Sequence, residues 1–203
     1  MTSRRWSFAM ALMRKRPAWI LALAGYAALA GALAGDAPVI DFEPESARFE
    51  AAAKEYRAIW RDEGARIAAA FEARTSLQME RGPIQAIVYD GISNSGYRSI
   101  PMRMRASYPP DTKRATLVHE LAHRLISDYT HKDEEEHPVI FLFVYDVWVD
   151  LWGQAFADAQ VAVEGRRRGH YDYAGAWRDA LALGPEERAE RWAQFLAQRK
   201  GSR

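Results

Sequence analysis

The chain of 203 residues contains no cysteine. That excludes disulfides, thiolate metal ligands and cysteine nucleophiles together, and leaves histidine, aspartate and glutamate as its strong metal ligands. An excess of either charge is also lacking. Lysine and arginine total 28 against 27 aspartates and glutamates, a net charge of +1, so nothing supports the basic face that nucleic-acid binding requires. Nor does the composition suggest disorder. Hydrophobic residues make up 49% and charged residues 27%, with seven tryptophans, which suffices for one domain with a sizeable core.

What is present begins with a targeting pattern. Arg4, Arg5, Arg14, Lys15 and Arg16 precede an uncharged run, residues 18–35, rich in alanine, glycine and leucine. Residues 1–35 therefore read as a signal peptide or an N-terminal membrane anchor, with Ala32-Leu33-Ala34 as the small-x-small pattern a signal peptidase accepts. Either way the basic flank stays cytoplasmic and the remainder is delivered outside, to the periplasm or its equivalent. Residues 36–45 read as a linker with two prolines, and residues 46–203 as the functional domain.

Within that domain the pattern from Ser46 to Thr75 is helical and amphipathic. Ile84–Tyr89 reads as a strand, and Tyr97–Tyr108 as a second strand held to an edge by Pro101. The simplest pairing is a small antiparallel sheet. Pro109-Pro110-Asp111-Thr112 then starts a helix running to about Tyr129. A polar turn, His131 to His137, leads into a very apolar helix from Val139 to about Gly165, interrupted by Asp146 and Asp150. Two further helices, Tyr173–Leu183 and Pro185–Arg199, complete a mostly helical α+β fold.

The chemistry concentrates in His119-Glu120-Leu121-Ala122-His123. Two histidines four apart on a helix share one face and can reach one metal ion, and the glutamate between them can polarise a water held there. Leu117, Leu121 and Leu125 make the opposite face apolar, which suits a buried helix better than a surface helix with two solvated histidines. Catalytic zinc normally takes three protein ligands. If the helices on either side of the acidic turn form an antiparallel hairpin centred near residue 134 or 135, His123 stands level with Asp146 and His119 with Asp150. His137 is the alternative third ligand if the hairpin closes more tightly. Glu134, Glu135 and Glu136 read as an exposed acidic turn, and Glu164 should be remote.

This motif, followed by a carboxylate-x-x-x-Asp pattern on the next helix, resembles the zincin metallopeptidases, the gluzincins in particular, over roughly residues 84–164. The resemblance implies a zincin-like core with a Zn2+ ion on His119, His123 and Asp146. Asp150 would orient His119, and Asp146 stands where gluzincins carry glutamate. It further implies a zinc-dependent peptidase with Glu120 as general base, acting on a peptide or protein substrate, with His170, Tyr171 or Tyr173 as candidates for stabilising the oxyanion. Ile84–Tyr89 is the expected edge for an extended substrate. The alternative is a noncatalytic zinc-binding envelope protein on the same scaffold.

Overall fold

A computed structural model describes residues 37–131, 134–168 and 171–201. The targeting segment, residues 1–35, lies outside the described residues, and so does His170. The first described element falls inside the stretch expected to be a linker. Ile40–Pro44 is strand β1, with Ile40 and Phe42 turned inward. A single 3-10 turn, Ala47–Phe49, leads into α1, Glu50–Thr75. This helix buries Ala53, Tyr56, Ile67 and Phe71 along one stripe, the face that the sequence periodicity marks.

β2 (Ile84–Tyr89) and β3 (Met102–Arg105) follow, and the sheet order is β1-β2-β3 with both pairings parallel. The expected antiparallel sheet is thus corrected, for a topological reason. β1 and β2 are joined by α1 as a β-α-β unit, which forces parallel strands. Between β2 and β3 the chain doubles back. Asn94 and Arg103 exchange backbone hydrogen bonds of 3.0 and 2.9 Å in an antiparallel bridge, and Tyr97 and Ile100 form another. The hairpin therefore exists, but its outer arm is the Asn94 segment and not β2. Gly96 makes this turn with φ +54°, and a Cβ there would stand 2.3 Å from the Ile100 carbonyl oxygen, so glycine is required. β2 is the central strand and offers no free edge to a substrate.

Alternation gives the sheet one buried face, made by Ile40, Phe42, Ile84, Ala86, Val88, Met102 and Met104. α1 packs against β1, and α2 (Pro110–Ile126) against β3. α3 (His137–Trp152) is the hub, touching α1, α2, α4 (Gln154–Glu164), α5 (Tyr173–Leu181) and α6 (Pro185–Gly201). That central position explains its sequence, which must be apolar on nearly every side. No helix among the described residues is long and apolar enough to cross a membrane.

The continuous helix expected from Val139 to Gly165 is broken at Gly153, whose φ of 85° and ψ of 164° lie in a region essentially reserved for glycine. The break sends α4 back across α2. Gly153→Ala should cost roughly 1–3 kcal/mol through backbone strain alone, because a Cβ there would meet no atom within 4 Å. Chemical denaturation would measure it, and an unchanged midpoint would show that the break tolerates a side chain.

Candidate metal centre

α2 carries the two motif histidines through one turn of helix, and α3 brings a third as its first residue. His119, His123 and His137 each offer a ligand atom, all within 4.8 Å of one another. His119 Nε2 and His123 Nε2 are 3.2 Å apart. Nitrogens held at 2.0–2.1 Å on two tetrahedral directions of one zinc ion would stand about 3.3–3.4 Å apart. His137 Nε2 is buried with no hydrogen-bond partner, an arrangement that is costly unless something else satisfies it.

The other ring nitrogen of each histidine faces a carboxylate. His123 Nδ1 is 2.6 Å from Glu136 Oε2, His137 Nδ1 is hydrogen-bonded to Glu135 Oε1, and His119 Nδ1 lies 3.0 Å from Glu164 Oε1, off the line of a good hydrogen bond. A carboxylate accepting Nδ1–H leaves Nε2 with its lone pair free, which is the tautomer a metal needs. Two such pairs and a third histidine with a carboxylate beside it, converging on one point, have no evident use in packing.

No family model, curated protein or solved structure matches this chain. The reading therefore stands on geometry and chemistry.

Glu120 is 4% exposed, and burial pushes its carboxyl up to about 7 despite the opposing pull of His123 and Arg167. Burial lowers His119 to about 4, against the attraction of Glu164. For His123 burial acts downward, but the Glu136 carboxylate, with Glu120 and Glu164, makes the net shift upward. His137 shifts downward, through burial first and the neighbouring His123 second.

Glu164, expected from its place in the sequence to be remote, is in the site beside His119. It is the last residue of α4 and is fully buried; its Oε2 accepts Trp177 Nε1–H at 3.1 Å, and Arg167 Nη2 lies 3.4 Å from Oε1. It holds the position beside His119 that the resemblance gave to Asp150. Glu164→Gln keeps the shape but weakens the hold on His119, and zinc affinity should fall about 10–100-fold. Competition with a chromophoric chelator measures this, and an unchanged affinity would remove Glu164 from the site.

Asp146 and Asp150 are not in the cluster. Asp146 accepts two hydrogen bonds from Arg188 of α6, at 2.9 and 2.7 Å. Asp150 pairs with Arg74 of α1 at 2.6 Å on the surface. The reason is helical geometry. Asp146 lies nine residues beyond His137, about 13.5 Å along the axis and half a turn round it. With His137 at the metal point, Asp146 faces the other way.

The histidines open onto a cavity of about 570 Å³ lined also by Glu120, Ser93, Ser95, Tyr108, Arg167 and Tyr173. A slightly larger one, about 610 Å³, between Pro38, Glu72, Met79 and Pro83, is lined by no histidine. Arg124 fixes one wall of the first by donating to Ser95 O at 2.8 Å while paired with Glu80. Behind the histidines the core is aromatic: Phe141 stacks on Trp177 at 3.6 Å and sits 5.8 Å from the His119 ring. The Tyr173 ring is 4.5 Å from His137 and Tyr171 is 4.9 Å from it, so both downstream tyrosines reach the site. His131 is exposed.

Proposed function

We propose that the protein is a zinc-dependent peptidase, with His119, His123 and His137 holding the metal and Glu120 as general base. The observation that carries the reading is the convergence of three imidazole nitrogens, each backed by its own carboxylate, beside a buried glutamate that lines the same cavity. A three-histidine set suits zinc and leaves a coordination position for water or substrate. When bound, zinc supplies a Lewis acid that polarises a carbonyl and makes a water nucleophilic near neutral pH.

The chain's own groups divide the remaining work. Glu120 takes the proton of the attacking water and returns it to the leaving amine. Tyr173, whose ring centroid lies 5.5 Å from the Arg167 guanidinium carbon, is the donor available to a developing oxyanion. An extended substrate would lie along Ser93–Ser95. Asn94 spends its N–H and C=O on Arg103, and Ser95 gives its C=O to Arg124, which leaves the Ser93 backbone groups and the Ser95 N–H for a peptide to pair with. The zincin-like part of this reading rests on the motif helix and the cleft. Export or anchoring through residues 1–35 completes the reading as an extracytoplasmic enzyme.

Elemental analysis of the full chain should give one zinc per molecule. The loaded protein should hydrolyse a mixed peptide pool, lose that activity to a chelator and recover it on zinc addition. Absence of stoichiometric zinc would overturn the metal site. Stoichiometric zinc without hydrolysis would favour the noncatalytic zinc-binding alternative.

A further inference from the structure

The cleft beside the histidines has a cationic lining that the proposed chemistry does not use. Arg105, at the end of β3, and Arg168, just beyond α4, line the same cavity as His119, Glu120 and His137. The two acids on that lining are already engaged. Glu136 is held by His123 and Thr130, and Glu120 is buried beside the metal point. Arg167 is likewise committed, donating to Thr116 Oγ1 at 3.2 Å and lying 3.4 Å from Glu164.

Arg105 and Arg168 differ from Arg167 in having donors to spare. Arg105 gives Nε–H to Ser107 Oγ at 3.0 Å, and its nearest carboxylate, Asp90, is 3.7 Å away. Arg168 is exposed, and among the described residues no carboxylate lies within 4.0 Å of its guanidinium. Arginine forks match a carboxylate in plane and spacing, and a cleft partly closed from water strengthens that match. Charge-neutral substrates would leave the Arg168 guanidinium to solvent and Arg105 with its Nε–H alone engaged, by Ser107.

We propose that this cleft selects peptides that carry a carboxylate next to the scissile bond, seated on Arg105 and Arg168. Either the C-terminal carboxylate or an acidic side chain supplies it. The inference rests on the peptidase reading of the same cleft. It makes the enzyme an exopeptidase acting from the C-terminus in the first case and an acid-selective endopeptidase in the second.

Three N-acetylated hexapeptide pools built from neutral residues test it with the zinc-loaded full chain: one with a free C-terminus, one amidated, and one amidated with a single Glu or Asp. Mass spectrometry reads the products. A carboxylate-bearing pool should be cleaved about tenfold or more faster at low substrate than the neutral amide pool, the expected scale for a charged hydrogen-bonded contact. Release of the last residue identifies the terminal carboxylate as the determinant, and cleavage beside Glu or Asp identifies the side chain. In an Arg105→Ala/Arg168→Ala variant that retains its zinc, the preference should collapse through a raised KM. Equal cleavage of all pools, or a preference that survives in the variant, overturns carboxylate selection and leaves the peptidase standing. Cleavage of no pool by protein with full zinc overturns both.

Discussion

His137→Ala should release zinc and leave the chain folded, whereas Asp146→Ala should leave zinc bound and weaken the fold. The two residues sit on one helix, nine residues apart and on opposite faces, so they report on different parts of the molecule. His137 contributes one of three converging nitrogens, and its other contacts are a surface glutamate and the edges of Tyr171, Tyr173 and Phe141. Asp146 contributes nothing to that point. It neutralises Arg188, a guanidinium whose side chain is 5% exposed and which also donates to Leu183 O at 2.7 Å, clamping α6 onto α3. Removing the carboxylate strands a buried cation, at a cost of about 3–5 kcal/mol. In a domain of this size that lowers the thermal midpoint by ~6–20 °C. Replacing both partners with leucine should recover most of the loss, because no unpaired charge remains. Zinc content by elemental analysis and unfolding by circular dichroism separate the two effects. Loss of zinc in Asp146→Ala with retention in His137→Ala would return the ligand role to the aspartate.

The contrast between these residues also shows what spacing along a chain can reveal. His119, Glu120 and His123 were legible because a helix of known pitch relates them within one turn. The pairing of Asp146 with His123 assumed a helix to about Tyr129 and a turn centred near residue 134 or 135. The chain instead leaves helix at Ile126 and resumes it at His137, so α3 enters the site with its first residue. Two of the three glutamates in that turn, Glu135 and Glu136, hydrogen-bond His137 and His123 and are more than a solvated acidic patch. Glu164 was hidden by Gly153, a single residue that converts one apparent helix into two and folds the second across the first. A glycine inside a long apolar helical pattern was the one signal that could have exposed it. The α+β class and the helical excess followed from periodicity. Strand direction did not, because it depends on which of two adjacent segments returns beside β3, and pairing energies between short strands are not written in composition. The partner of Asp146 was foreseeable only as a requirement: a buried carboxylate needs a cation, but nothing in the order of residues selects Arg188.

The largest effect on rate is expected at Glu120. Its side chain is buried beside His119 and lines the cavity that the three histidines face, which is where a group must sit to exchange a proton with a water at the metal point. Glutamine has the same shape and can accept a hydrogen bond through its carbonyl, but it cannot take up a proton near neutral pH. Glu120→Gln should therefore bind zinc with wild-type stoichiometry and hydrolyse the peptide pool at least about 10²–10⁴-fold more slowly, the contribution typical of a positioned general base. Stability should not fall, since the substitution replaces a buried ionisable group with a neutral one of equal volume. The combination is diagnostic. A residue needed only to shape the pocket would show its loss in zinc content or unfolding, while a proton acceptor shows it in kcat alone. Retained hydrolysis at full zinc occupancy would move the base elsewhere. Retained zinc with lost turnover would separate an enzyme from a storage site, because holding a metal on three histidines gives the protein no use for a carboxylate at this position.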